Sequence, residues 1–419
     1  MVTQGKHAQR VVILGAGIAG STLALRLAQA GTDVRLIDWP LKLDPLVGES
    51  LVPAVTPLLQ QLGVEEEVRR DAQLKPGVTF IMRTGQKLEF DLARLGGVTA
   101  TYAYNSPRPG LDHIIKAKAL QAGVPLIERR VPLRAEGDCV VLDPATLEAC
   151  GLEGQPDLVI DCTGRAQVVR RALGMGGRPG KRRDSCLFAH YINVDLGVDT
   201  PGVVVFTVLD AGWCWRIPLP GRMSIGVIAD SERWKALGGT SEERLERALD
   251  QDPIMSQATA RAERITDVKI YNNYQWITDR FVGANWLMVG DSAGFVDPTL
   301  SSGVLLALEG ALSLAGVLAP ESKNRQGALE RWEREYRKRL MAWQEFVDYY
   351  YEGKLFAMIM QGQLMSKRRG MGLITRHVER HFAGAILGAR TMSPYSRRLI
   401  RLLAQHGIKD FRPADWAIG

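Results

Sequence analysis

The feature that most restricts this chain lies at its start. Gly15, Gly17 and Gly20 form G-x-G-x-x-G between an apolar run, RVVIL (10–14), and a helix-period stretch, STLALRLAQAG (21–31). The run reads as a buried parallel strand, and TDVRLID (32–38) as a second strand ending on Asp38. Strand, glycine turn, helix and strand make a βαβ unit about 30 residues long, the opening of a parallel sheet. Each residue type has a task there. Gly15 permits the tight turn, Gly17 lets backbone approach a pyrophosphate, and Gly20 lets the helix lie against the sheet. Amides at the helix N-terminus sit at the positive end of its dipole and suit an anion. Asp38 is spaced to accept hydrogen bonds from ribose hydroxyls. A dinucleotide site is the expectation, and the glycines do not say which dinucleotide.

The rest of the chain is long enough to house it. At 419 residues, 46% hydrophobic and 24% charged, it has material for two or three units around well-filled cores. No run of about 18 apolar residues occurs, so no integral membrane segment is expected. The opening MVTQGKHAQR has no apolar stretch and does not read as a secretion signal. Cys139, Cys150, Cys162, Cys186 and Cys214 form no C-x-x-C pair and have no metal-ligand spacing. Reduced thiols, no metal and a cytoplasmic location are expected. The net charge of +7 is concentrated in RPGKRR (178–183), SKRR (366–369) and SRRLIR (396–401). Aromatics do not interleave with these runs and no known module is present, so nucleic acid is not an expected partner. The charge is either a solvated basic face or a docking surface for an acidic protein.

Along the chain, 52–71 reads as helical with proline breaks near its start, and 78–90 as a hairpin turning at Thr84-Gly85. A helix is expected over 111–122 and a strand over 156–161. Between about 184 and 230 the pattern is rich in strands. NWLMVG (285–290) is another buried-type strand, followed by Asp291 and a small-residue helix from about 303 to 317. Residues 328–350 place apolar side chains at 329, 332, 336, 340, 343 and 347, a helical stripe.

Several segments carry a resemblance. VGDSAGFVDP (289–298), DLVIDCTG (157–164) and RPGLD (108–112) resemble recurring FAD elements of the aromatic-hydroxylase flavoprotein superfamily. VGESLVPAVTPLLQQLG (47–63), LKPGVTF (74–80), GWCWRIPL (212–219) and FVDPTLSSG (295–303) narrow it. Over roughly residues 8–320 the chain resembles flavin-dependent halogenases and halogenase-like monooxygenases, W-x-W-x-I-P being the most specific element. The resemblance implies an α/β fold with a Rossmann-type FAD-binding domain (8–75, 100–180 and 280–320). A β-rich substrate layer (76–99 and 181–279) is inserted in it, and a helical region (321–419) follows. It implies FAD contacts from Gly15, Gly17, Ala19, Gly20, Asp38, Glu49, Ser50, Arg108, Asp291 and Gly303. Lys75 becomes the catalytic lysine, and Trp213, Trp215, Pro298 and Ser301 line the substrate pocket.

In such enzymes reduced flavin and O2 give a C4a-hydroperoxide that must be shielded from water. An aromatic ring attacks it in a hydroxylase; a halide attacks it in a halogenase, and the oxidised halogen passes a lysine on its way to the ring. The lysine then donates a hydrogen bond to the oxidant or forms a haloamine. The tryptophans would separate flavin from substrate, and the 301–303 turn would hold the halide. Plainer readings stand beside these: a solvated Lys75, tryptophans that are simply core, and Asp291 as a helix cap. His113, His190, His377 and His381 have no evident nucleophile or metal partners, and none is assigned catalysis. The expected substrate is an electron-rich indole, phenol or pyrrole, free, carrier-protein-bound or peptidyl. Reducing power would come from a separate flavin reductase or from transiently bound NAD(P)H. Halogenation is slightly favoured; hydroxylation of such a ring, including a tryptophan side chain, and a geranylgeranyl-reductase-type reduction are the alternatives. Two departures are plain: the chain is shorter than the tryptophan halogenases it resembles, and Arg216 puts a charge inside W-x-W-x-I-P.

Overall fold

A computed structural model describes residues 9–39, 47–210, 212–272, 275–319 and 324–418. The N-terminal stretch read as lacking a leader lies, up to residue 8, outside them. The apolar run at the start becomes the strand Arg10–Leu14, with Val11, Val12 and Ile13 fully enclosed. It lies at the middle of a five-stranded parallel sheet. The order is Trp286–Met288, Leu158–Asp161, Arg10–Leu14, Asp33–Asp38, Leu126–Glu128, with Ile13 opposite both Ile160 and Leu36. The strands from the beginning, middle and late part of the sequence thus meet in one sheet. Its strands are unbroken apolar runs, with Val11, Val12, Ile13, Val159 and Ile160 fully buried, as strands covered on both faces are. Ile18–Gln29 packs against both Gly303–Leu318 and Arg108–Gln121.

The stretch 52–71 is not one helix. A 3-10 turn, Pro53–Val55, leads into Thr56–Leu62, and a second helix, Glu65–Asp71, follows. Gly63 ends the first with a left-handed φ of +66°, the usual way a glycine closes a helix. The helix expected over 111–122 begins at Arg108, with Pro109 in its first turn where a missing N–H costs nothing.

The inserted strands form a second, eight-stranded sheet. Its centre is Trp213–Leu219, antiparallel to both Val204–Val208 and Arg222–Asp230. The hairpin Gly77–Ile81 and Lys87–Asp91 joins it through parallel pairing with Val204–Val208, turning at Gly85 as the sequence suggests. Phe80 stacks on Phe206 at 5.2 Å, so the hairpin shares the sheet's apolar face.

The long helix Arg325–Tyr351 buries Leu329, Trp332, Tyr336, Leu340, Trp343 and Val347, the stripe read from the sequence. It ends at the second sheet, where the Tyr350 ring lies 6.1 Å from Trp213 and 5.3 Å from Phe356. Three shorter helices follow: Lys354–Ser366, Gly372–Ile386 and Pro394–Leu402. All five cysteines are free thiols. Among the described residues no helix is long and apolar enough to cross a membrane, and no cluster of side chains has the make-up of a metal site.

Candidate active site

The three glycines of the first turn are required for different reasons. A Cβ on Gly15 (φ +96°) would sit 2.5 Å from the Cys162 carbonyl oxygen, and one on Gly20 would sit 1.8 Å from the Gly15 carbonyl oxygen. Protein packing alone demands both. Gly17 has φ −77°, and a Cβ there would meet nothing within 4 Å. The protein leaves that space open above a helix whose N-terminus has no side-chain cap. Ala19 is buried in the first turn, and Asp38 Oδ1 accepts from the Ala16 amide at 3.2 Å, holding the carboxylate beside the turn.

A second charged cluster forms where the third parallel segment ends. Ser292 Oγ donates to the Asp161 carbonyl at 2.5 Å and to that of Val289 at 2.8 Å, pinning the Gly290–Ser292 turn to the middle of the sheet. Asp291 caps no helix. Its carboxyl is enclosed by protein yet keeps a partly open face. Burial pushes it up to about 6, against the pull of the Arg108 and Arg165 guanidiniums. Arg108 is held by the Val47 carbonyl (2.9 Å) and by both oxygens of Asp112 (3.2 Å each). Gly48 makes room for it: a Cβ there would be 2.7 Å from Arg108 Nη1. Arg165, unnoticed in the sequence, lies over the Tyr271 ring at 4.0 Å. Its only signal was its position directly after the D-C-T-G turn. An open space over an uncapped helix, a carboxylate beside it and a second, buried carboxylate under the influence of two arginines are features that suit a dinucleotide such as FAD.

Lys75 is not a surface residue. It ends the short strand Gln73–Lys75, opposite Ala103, and is 3% exposed. Its Nζ donates to Ser50 Oγ at 2.7 Å and to the Leu51 carbonyl at 2.9 Å. Burial without a counter-charge brings its pKa down to about 7. Glu49, next to Ser50, turns its carboxylate to His190 Nε2 at 2.9 Å, and both side chains are buried. His190 is thus paired with a carboxylate 141 residues away in sequence. The pair ties the G-E-S loop to the second sheet.

The two tryptophans share one face of that sheet, their rings 5.8 Å apart. Trp215 lies over Gly226, where a Cβ would come within 2.3 Å of the ring. Its indole N–H donates to Ser224 Oγ (3.1 Å), and that of Trp213 to Tyr351 Oη (3.2 Å). Tyr351 Oη also lies 3.0 Å from Thr299 Oγ1. One tyrosine thus links the W-x-W-x-I-P strand to the P-T-L-S-S-G segment. Arg216 points the other way, as alternation along a strand requires, and donates to the Asp195 carbonyl (3.0 Å) and Thr207 Oγ1 (3.2 Å). Its charge is kept away from the indoles. In the 298–303 segment Pro298 is half-buried, and Ser301 adopts φ +54°, a strained conformation for a residue with a side chain. The helix starting at Gly303 has no side-chain cap, and a Cβ on Gly303 would meet nothing within 4 Å.

Known proteins similar to the chain include halogenases. The chain is 26% identical over 379 residues to the 1H-pyrrole-2-carbonyl-(peptidyl-carrier protein) chlorinase of Pseudomonas fluorescens, covering 82% of this chain and 84% of that one. It is 28% identical over 362 residues to the tryptophan 2-halogenase of Chondromyces crocatus, covering 82% and 68%. Its fold matches that of the FAD-dependent myxobacterial chondrochloren halogenase CndH with a TM-score of 0.71 at 23% identity, over 98% of this chain and all of that one. The tryptophan halogenase family model matches residues 10–96 and 87–354, which span both sheets and the long C-terminal helix. The chain belongs to the tryptophan halogenase family and is an FAD-dependent enzyme.

Proposed function

We propose that this enzyme oxidises a halide and transfers the halogen through Lys75 to an electron-rich aromatic ring that arrives tethered to a carrier protein. The observation that carries the reading is the buried, two-bonded Lys75 amine. A neutral amine has two N–H groups and one lone pair. Ser50 Oγ and the Leu51 carbonyl take both N–H groups. Above pH 7 the lone pair is then the one part of Nζ left for chemistry. Bound FAD, reduced and exposed to O2, supplies the oxidising equivalent that the halide takes up. Lys75 Nζ attacks the halogen of hypohalous acid: the N–halogen bond forms, the halogen–oxygen bond breaks, and oxygen leaves as water with the Nζ proton. The ring carbon next takes the halogen from nitrogen, and the ring proton returns to Nζ by way of solvent.

The other residues bind and exclude. Gly15, Gly17, Ala19, Gly20 and Asp38 hold the adenosine and pyrophosphate; Glu49, Ser50, Arg108, Asp291 and Gly303 serve the flavin half. The Ser302 and Gly303 amides, ahead of a helix with no side-chain cap, are offered to the halide, and Pro298 and Ser301, joined by the Ser301 amide donating to the Pro298 carbonyl at 3.0 Å, shape that corner. Trp213 and Trp215 wall the path of the oxidised halogen from bulk water. The carrier tether is supported by the similarity to the Pseudomonas fluorescens chlorinase, whose substrate is a 1H-pyrrole-2-carbonyl-(peptidyl-carrier protein). A separate flavin reductase as electron source and a cytoplasmic location, in keeping with five free thiols, complete the proposal.

The test is product mass. With a flavin reductase, NAD(P)H, O2 and a carrier-tethered pyrrole or phenol, the product gains a halogen in chloride or bromide and nothing when halide is left out. A gain of one oxygen regardless of halide makes it a hydroxylase, and substrate reduction without oxygen use makes it a reductase.

A further inference from the structure

An open cavity of about 820 Å³, lined by none of the residues assigned above to FAD, halide or Lys75 chemistry, lies among the loop 96–99, the helix Gly303–Leu318 and the segment 388–393. Three arginines line it: Arg339, Arg380 and Arg390. Arg339 is neutralised by an ion pair with Glu309. The guanidiniums of Arg380 and Arg390 have no hydrogen-bond or ion-pair partner among the described residues. Their stems are nonetheless positioned. Arg380 packs its Cβ and Cγ on Gly96, and Arg390 lays its Cδ against Gly384. Two placed guanidiniums that no carboxylate among the described residues pairs, lining one cavity with Thr99 and Ser393, suit a phosphate.

The cavity is also close to the proposed chemistry. A Cβ on Gly388, in its wall, would come within 2.5 Å of the Ala54 Cβ. Ala54 belongs to the turn directly after Leu51, whose carbonyl holds Lys75. Outward from the cavity runs the helix Gly372–Ile386, anchored by Phe382, Ala383 and Ala385 and exposed in its first half. Leu373, Arg376 and Arg380 fall at i, i+3 and i+7 on one face, so the stripe ends in the cavity. Leu373 is 79% exposed and Ile374 55%, and the exposed Lys367, Arg368 and Arg369 immediately precede the helix. An apolar tip ringed by cations fits an acidic helix that carries an apolar patch of its own.

We propose that the cavity binds the phosphate of a phosphopantetheine arm through Arg380 and Arg390, and that the Lys367–Arg376 ridge receives the acidic carrier protein bearing that arm. The proposal rests on the carrier-tethered reading above and makes it specific: one patch for the protein, one cavity for the phosphate, and the aromatic acyl group beyond it toward Lys75.

Binding tests it without halogenation, so its failure and that of the halogenase reading are separable. The probes for FAD-loaded enzyme are pantetheine 4′-phosphate, pantetheine and inorganic phosphate. The wild type is expected to bind pantetheine 4′-phosphate at least tenfold more tightly than either of the others. The Arg380→Ala/Arg390→Ala variant, with FAD content and flavin reoxidation unchanged, loses that preference. An acidic peptidyl carrier protein carrying the arm then binds wild type more tightly than Arg376→Glu/Leu373→Ser, the gap shrinking at high salt. Equal binding of pantetheine and its phosphate, undiminished preference in the double arginine variant, or phosphate alone binding as well as the arm overturns the cavity assignment. A carrier that ignores the ridge substitutions overturns the docking surface. Tight arm binding by an enzyme that adds no halogen overturns the halogenase reading and leaves the cavity standing.

Discussion

Lys75 is unusual for how little opposes its burial. An amine enclosed with one hydroxyl, one carbonyl and no carboxylate must shed its proton easily, and a pKa of about 7 follows from desolvation. If the neutral amine reacts, kcat rises with pH through a midpoint near 7, while flavin reoxidation shows no such limb. Lys75→Arg, which stays charged, is expected to lose halogenation by at least about 100-fold, the order of effect of a positioned catalytic group. The same residue makes a stability prediction. Its folded pKa is below the unfolded value of about 10.4, so between these two the unfolded chain binds more protons. Stability contributed by this site rises as pH rises through that window, and denaturant titrations of Lys75→Met are expected to lack that rise. Asp291 has the opposite sign. Its carboxyl is raised to about 6, so its contribution falls as pH climbs from the ordinary carboxylate range to 6.

Glycines of one motif separate when the elements around them are considered. Gly20 is fixed by helix-to-turn contact, with a Cβ 1.8 Å from the Gly15 carbonyl oxygen, whereas Gly17 faces open space. Gly17→Ala is therefore expected to keep the apoprotein's thermal midpoint and weaken FAD by about 1.4 kcal/mol or more, a tenfold change. Gly20→Ala is expected to destabilise the apoprotein itself by at least about 2 kcal/mol, as overpacking against backbone does. Calorimetry with and without FAD separates the two. The end of the long helix is the other element to test. Tyr351 joins the Trp213 indole to Thr299 through one hydroxyl. Tyr351→Phe should cost about 1–3 kcal/mol for the buried groups left unpaired. Denaturant midpoints check this.

Much of the molecule was legible because its strongest signals are local. The glycine turn, the strand ending on Asp38, the hairpin at Gly85 and the stripe from Leu329 to Val347 are all set within one or two elements. Lys75 and the two tryptophans could be named from their flanks. What could not be read was pairing across the chain. His190 and Glu49 meet only because the second sheet docks on the G-E-S loop, and Arg165 reaches Asp291 only through the parallel sheet. Nothing in the spacing of W-x-W-x-I-P says that Tyr351 completes it. The break at Gly63 was visible as a glycine but outweighed by the helical residues around it. The same long-range contacts tie the flavin sheet, the tryptophan sheet and the C-terminal helices together, so FAD release is expected to lower the stability of the whole chain. At FAD 100 times its Kd, the bound form gains about 2.7 kcal/mol over the apoprotein. The most direct measurement is the product mass from Lys75→Ala, run beside wild type with reduced flavin, O2 and bromide. The expected result is unbrominated substrate, flavin reoxidation at the wild-type rate and free hypobromous acid captured by an added trap. Brominated product formed at the wild-type rate would contradict the role of Lys75.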